Sequence, residues 1–132
     1  PTSYSSKPFL GFGGSFTEAS AVVLQKMSEK RQEEVVKAYF DPDQGIGYAL
    51  GRIPIASCDF GLGNWTCGDL PEGDDQLTGF SIERYKQAIL PFCLRAAATR
   101  GSPLTMLASP WSPVPWMKTK RKFNGDGRLR SE

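Results

Sequence analysis

The sequence has no histidine among its 132 residues and only three cysteines. Without histidine there is no Ser-His-Asp or Cys-His catalysis, and the commonest metal ligand is missing. Cys58, Cys67 and Cys93 form no CxxC pair, so no zinc site is expected. Being odd in number they cannot all pair with one another, and buried free thiols are the expectation in a chain this poor in cysteine. No apolar run approaches the roughly 18–20 residues that span a bilayer. No basic-then-apolar leader opens the sequence. Charge of one sign is also lacking, with 16 basic against 14 acidic side chains and a net charge of +2. Nucleic-acid binding calls for a broader basic surface than that. The basic residues near the end, Lys118, Lys120, Arg121, Lys122, Arg128 and Arg130, read as a solvated loop. Carboxylates, hydroxyls, amides and indoles are left to carry chemistry.

A hydrophobic share of 39% and a charged share of 23% describe a globular chain, and the length suits one domain. Pro8 to Gly14 is a short apolar stretch ending in paired glycines, as a buried strand running into a turn would be. Ser15 and Glu18 have capping-box spacing and predict a helix carrying Ala21, Leu24 and Met27. Ser28 predicts a second helix over 29–40, stopped by Asp41-Pro42-Asp43-Gln44-Gly45. Ile46 to Ile55 is apolar on both faces, like a strand inside a parallel sheet, with Pro54 expected to end its ladder. A long loop from Ser57 to Gly79 follows, and loops of that length inside a domain are usually functional. Ser81 caps a further helix bearing Ile82, Tyr85, Ile89, Phe92 and Ala96, with a bend expected at Pro91. Leu104 to Ala108 reads as a third buried strand, leading into a proline-stiffened loop with Trp111 and Trp116.

Strands and helices thus alternate, which calls for a parallel sheet with helices outside it. A doubly wound sheet and a β/α barrel both remain open on this pattern. A complete barrel needs about 250 residues, so the chain is either a small open sheet or part of something larger.

Active sites on either architecture lie at the carboxyl ends of the strands. Asp59 follows the second strand and Trp111 the third, while Arg52 lies inside the second. A carboxylate and indoles converging from different strands suit a sugar, since carboxylates accept from ring hydroxyls and indoles stack on pyranose C–H faces. Each has a plainer explanation. Asp59 could cap its loop, the tryptophans could anchor theirs, and a strand arginine is by default half of a structural ion pair. Glu18 is read as the capping-box residue. Gly11-Phe12-Gly13-Gly14 does not fit a phosphate cradle, because Phe16 breaks the G-x-G-x-x-G pattern and no Walker lysine follows. Asn64-Trp65-Thr66 is formally a glycosylation sequon, a match too short to imply secretion.

Taken in order, Gly11-Phe12-Gly13-Gly14-Ser15-Phe16-Thr17-Glu18-Ala19, Gly45-Ile46-Gly47-Tyr48, Arg52-Ile53-Pro54-Ile55-Ala56-Ser57-Cys58-Asp59-Phe60 and Leu107-Ala108-Ser109-Pro110-Trp111-Ser112-Pro113-Val114-Pro115-Trp116-Met117-Lys118 closely resemble glycoside hydrolase family 30. That family includes glucosylceramidases and β-1,6-glucanases. The resemblance covers nearly the whole chain. It implies the first three βα units of a (β/α)8 TIM barrel and retaining hydrolysis of β-glycosides without metal or organic cofactor. It also implies roles for three residues: Asp59 bonding sugar hydroxyls in the innermost subsite, Trp111 lining that subsite, and Arg52 beneath it, helping to keep the nucleophile ionised. Asn124-Gly125-Asp126-Gly127 resembles the loop that follows the family's tryptophan segment. A secreted or lysosomal location is suggested by the family alone.

The family's acid/base and nucleophile are glutamates after the fourth and seventh strands, the acid/base preceded by asparagine. No Asn-Glu pair occurs in this sequence, so no catalytic residue is assigned and the chain alone is expected to be inactive. The expectation is therefore the N-terminal part of a β-glycosidase catalytic domain, acting on a β-glycoside such as glucosylceramide or β-1,6-glucan. Its remaining strands would come from elsewhere. The alternative is a non-catalytic carbohydrate-binding or interaction module derived from a truncated barrel, whose open strand edges would need a partner.

Overall fold

The pairing of the three strands is set by which backbone groups find partners, and it departs from the sequence pattern in instructive places. A computed structural model describes residues 7–68 and 76–131. It contains β1 (Gly13–Ser15), α1 (Glu18–Gln25), α2 (Glu29–Phe40), β2 (Leu50–Ile55), α3 (Glu83–Gln87), α4 (Ile89–Arg100) and β3 (Thr105–Pro110). The strands form one parallel sheet in the order β1-β2-β3. Residues 69–75 of the expected functional loop lie outside the described residues.

The first strand is much shorter than the apolar run suggests. Phe9, Leu10 and Phe12 are exposed, and Gly11 at φ +111° interrupts the extended path. Pairing with β2 starts only where the Phe12 carbonyl accepts from Leu50. It then runs past Ser15, because the Phe16 amide donates to the Arg52 carbonyl at 2.8 Å. Ser15 is thus held in the sheet, paired with Arg52, and does not cap α1. Thr17 does so instead, its side chain accepting from the Ser20 amide at 3.2 Å. Ser28 caps α2 as expected.

The second strand also starts late. Ile46 and Tyr48 donate to the carbonyls of Ala38 and Tyr39, so the end of α2 uses the amides that a longer strand would need. Pro54 does not end the ladder, which continues to Ile55. Leu50 and Arg52 turn their backbone polar groups toward β1, and Pro54 shares that parity. The last bond between the β1 end and β2 is the one from the Phe16 amide to the Arg52 carbonyl, so the missing Pro54 N–H lies beyond that ladder. The long helix expected after Ser81 is broken at Ala88 rather than bent at Pro91. Pro91 falls in the first turn of α4, where amides have no helical partner to lose. Gly101, at φ +74°, closes α4 in the left-handed conformation that glycine takes without steric cost.

α2 and α4 pack on one face of the sheet through Phe40 and Phe92. A Cβ on Gly51 would strike the Phe16 ring and the Met106 sulfur, which identifies that face as the packed one. Phe16 is its centre, with ring centroids 5.5 Å from Phe40 and 4.8 Å from Phe92. The alternate residues, Arg52 and Ser109 among them, face the other way. There Leu107 is 63% exposed, Arg52 is half-buried and Pro54 is buried. Replacing the fully buried Phe16 by alanine removes the ring that links sheet to helices. Phe16→Ala is expected to cost about 3–5 kcal/mol of stability, read as a lower urea midpoint at unchanged slope.

Candidate active site

The carboxyl ends of β2 and β3 lie side by side, and the three expected residues meet there. Arg52 donates through Nε to Ser109 Oγ at 3.3 Å. Its guanidinium carbon lies 4.3 Å from the centre of the Trp111 ring, a cation–π contact. The expected ion pair is absent: no carboxylate lies within salt-bridge distance of Arg52 among the described residues. Its charge is carried by an indole and a hydroxyl, on a strand face from which no described acid reaches it.

Arg52, Asp59 and Trp111 line one cavity of about 310 Å³, together with Ser15, Pro54 and Phe60. A second hollow, of about 460 Å³, adjoins it and is shared by Asp59, Asn64, Trp111, Ser112, Phe123 and Asn124. Asp59 is exposed to this space and Trp111 is 41% exposed. A third cavity of about 390 Å³ lies between the sheet and α1 and α2, but its walls hold no carboxylate, amide or indole. The polar pair beside Asp59 is therefore the candidate site.

The turn that presents Asp59 is built with unusual care. Ala56 leaves β2 at φ +68°, a left-handed conformation that costs a non-glycine residue roughly 1–3 kcal/mol. Tyr85 from α3 holds it there: the hydroxyl accepts from the Ala56 amide and donates to the Pro54 carbonyl at 2.8 Å. Burial pushes the Tyr85 phenol up to about 12, so it stays a donor at any ordinary pH. Ser57 then closes the loop against Trp65, donating from its amide to the Trp65 carbonyl and accepting the Trp65 amide on Oγ, both at 3.1 Å.

Glu18 is the residue that sequence reasoning misplaced. It does not serve a capping box. Its carboxylate is buried and reaches across to the Asp59 loop, where Oε2 accepts from the Leu62 amide at 2.7 Å and the Trp65 indole at 3.3 Å. Arg84 of α3 donates to it twice, Nε to Oε1 at 2.7 Å and Nη2 to Oε2 at 3.3 Å, and lies over the Trp65 ring. Burial alone would raise the pKa of Glu18. The hydrogen bonds and charge of Arg84, with the Leu62 amide and the indole, outweigh it and hold the carboxyl below its usual 4.5. The partners lie more than forty residues away in sequence, and only a carboxylate at the first position of a helix, close after a strand end, hinted at them.

The basic segment is partly structural. Lys118 is buried and donates to Ser112 Oγ at 3.2 Å and to the Phe123 carbonyl at 2.8 Å, which brings Phe123 and Asn124 to the second hollow. Asp126 accepts from Lys120 instead of facing the site. No disulfide joins the three cysteines, and burial raises the Cys93 thiol to about 11.

Residues 9–132 match the family model described as the glycosyl hydrolase family 30 TIM-barrel domain. The chain belongs to glycosyl hydrolase family 30. It is 36% identical over 123 residues to the lysosomal acid glucosylceramidase of Mus musculus, covering 92% of this chain and 24% of that protein. It is 34% identical over 132 residues to putative glucosylceramidase 4 of Caenorhabditis elegans, covering 97% and 24% respectively. Among solved structures, SrfJ from Salmonella typhimurium superposes with a TM-score of 0.85 at 40% identity, covering 95% of this chain and 27% of that one. The endo-β1,6-glucanase BT3312 gives a TM-score of 0.78 at 27% identity, over 93% and 28%. The chain thus spans about a quarter of the length of the curated relatives it matches, and its three strands are the first three βα units of the family's barrel.

The depressed pKa of Glu18 has a consequence for stability. A carboxyl stabilised in its ionised form contributes above its unfolded pKa and loses that contribution as pH falls through the folded value. Glu18→Gln is expected to cost about 1–3 kcal/mol at pH 7, the scale of losing charge-assisted bonds. The gap from wild type should close as pH drops below 4.5, in thermal melts taken across that range. A gap that stays constant with pH would mean the carboxylate charge is not what the network uses.

Proposed function

We propose that this chain carries the glycone-binding corner of a retaining β-glycosidase that acts on β-linked glucosyl groups. The observation that supports it most directly is the convergence of Arg52, Asp59 and Trp111 on one cavity at the carboxyl ends of two adjacent strands. Asp59 is the acceptor for ring hydroxyls, and charge-assisted bonds of that kind are about twice as strong as neutral ones. The open face of Trp111 stacks against the apolar side of the pyranose. Arg52 sits behind the indole, where its charge lowers the pKa of a neighbouring carboxyl group and so favours an ionised nucleophile.

Retaining hydrolysis uses two carboxyl groups about 5–5.5 Å apart, one as acid/base and one as nucleophile. Both are glutamates on other strands of the barrel in this reading. The 132 residues hold no Asn-Glu pair and make up the N-terminal part of the catalytic domain. Alone they bind the sugar's inner ring and do not cleave it. The named activities of two relatives, an acid glucosylceramidase and an endo-1,6-β-glucanase, favour a glucosyl unit in that subsite. Sugar and protein groups supply all the chemistry, with no metal or organic cofactor.

In the protein bearing its complete barrel, Asp59→Ala is expected to lower kcat/KM on a β-glucoside at least about 30-fold, or about 2 kcal/mol of transition-state binding. Unchanged kcat/KM would remove Asp59 from the subsite.

A further inference from the structure

The Asp59 loop touches the rest of the chain through a small set of directed bonds, and most of them lead to α1 and α3. Residues 57 and 65 are tied to each other by the two Ser57–Trp65 bonds. Between them a tight turn brings the Gly61 amide to the Cys58 carbonyl at 3.0 Å. The far side of the turn docks on the start of α1: the Ala19 amide donates to the Phe60 carbonyl at 3.1 Å, and the Leu62 amide donates to Glu18. Trp65, 4% exposed, is fixed by its indole bond to Glu18, by the edge-on Tyr85 ring and by Arg84 over its face. Asp59 is therefore held between Ser57, which is tied to Trp65, and Leu62, and both Trp65 and Leu62 donate to one buried carboxylate, although Glu18 does not line the Asp59 cavity.

We propose that Glu18, clamped by Arg84 and reading out through Leu62 and Trp65, is a positioning residue that sets where the Asp59 carboxylate stands in the sugar subsite. The inference rests on the assignment of Asp59 to that subsite. A short exposed carboxylate on an unsupported turn would sample many positions, and transition-state binding is sensitive to displacements of about 1 Å. An ion pair anchored on two helices removes that freedom without entering the cavity. The clasp acts through the loop and touches no substrate.

The test compares Glu18→Gln and the milder Arg84→Gln with Val36→Ala, a buried substitution in α2 away from the loop. All are made in the complete protein and assayed well below their melting temperatures. Amide hydrogen exchange over residues 57–65 and kcat and KM on a β-glucoside are the readouts. The clasp variants are expected to speed exchange across 57–65 at least tenfold. They are also expected to reduce kcat/KM at least tenfold, while Val36→Ala leaves both near wild type at a comparable loss of melting temperature. Arg84→Gln carries the test if Glu18→Gln does not fold. Unchanged exchange in the clasp variants, or an equal activity loss in Val36→Ala, overturns the proposal. If Asp59→Ala impairs the enzyme but the clasp variants do not, only the positioning role fails. If the clasp variants loosen the loop and Asp59→Ala is silent, it is the sugar assignment that fails.

Discussion

A carboxylate withdrawn from water inside a small α/β sheet must find compensation, and the way Glu18 finds it organises this end of the molecule. Its two oxygens take four donors from three places: a helix arginine, a loop amide and an indole. The donors come from the β2–α3 connection and from α3, so one charge joins α1 to both. An apolar side chain at that position could pack against α3, but it could not fix the direction of a loop. Hydrogen bonds can, because they are lost over a few tenths of an ångström and a few tens of degrees. Removing one partner of such a set is costly for the same reason, since the others are left buried and unpaired.

The two faces of the sheet do different work. On the helix side Phe16, Phe40 and Phe92 interlock, and Gly51 is glycine because the Phe16 ring and Met106 occupy the space of a Cβ. On the other side Arg52 and Ser109 place polar atoms next to each other on neighbouring strands, with Trp111 beyond. An arginine directed to the helix layer would need a buried acid to balance it. Directed to the opposite face, it is accommodated by an aromatic ring and a hydroxyl, and its charge stays available to the cavity.

Much of the architecture was legible in the sequence because it depends on local patterns. The alternation of strands and helices, the Ser28 cap and the stop at Asp41 all rest on neighbours within a few residues. The errors arose where a distant partner overrode a local signal. Ser15 looks like a cap until the Phe16–Arg52 bond holds the preceding chain in the sheet. The apolar run before it looks like strand, but β2 offers pairing only from Leu50 onward. Pro54 looks like a stop, and is harmless because its amide position lies beyond the last bond between the β1 end and β2. At the site, Arg52, Asp59 and Trp111 could be named from their places beside strand ends and from family motifs. The cation–π contact of Arg52 with Trp111 could not, and neither could the Glu18 network, whose members are separated by 44 to 66 residues.

The strain at Ala56 shows why these features belong together. A left-handed alanine directly after a strand is unfavourable by itself, and glycine would relieve it at the cost of freeing the backbone. The chain keeps alanine and supplies Tyr85, whose hydroxyl satisfies the Ala56 amide and the Pro54 carbonyl together. That arrangement turns the chain sharply away from β2, so Asp59 opens onto the cavity that Arg52 and Trp111 line. Tyr85 and Arg84 are adjacent in α3, one securing the departure from β2 and the other, through Glu18, the return. A five-residue helix is too short to be stable by propensity alone. Its position follows from these contacts, and the placement of Asp59 follows from its position. The side chains that shape this turn are thus also those that hold α3 to the sheet. The loop geometry therefore cannot be relaxed without loosening the packing that supports it.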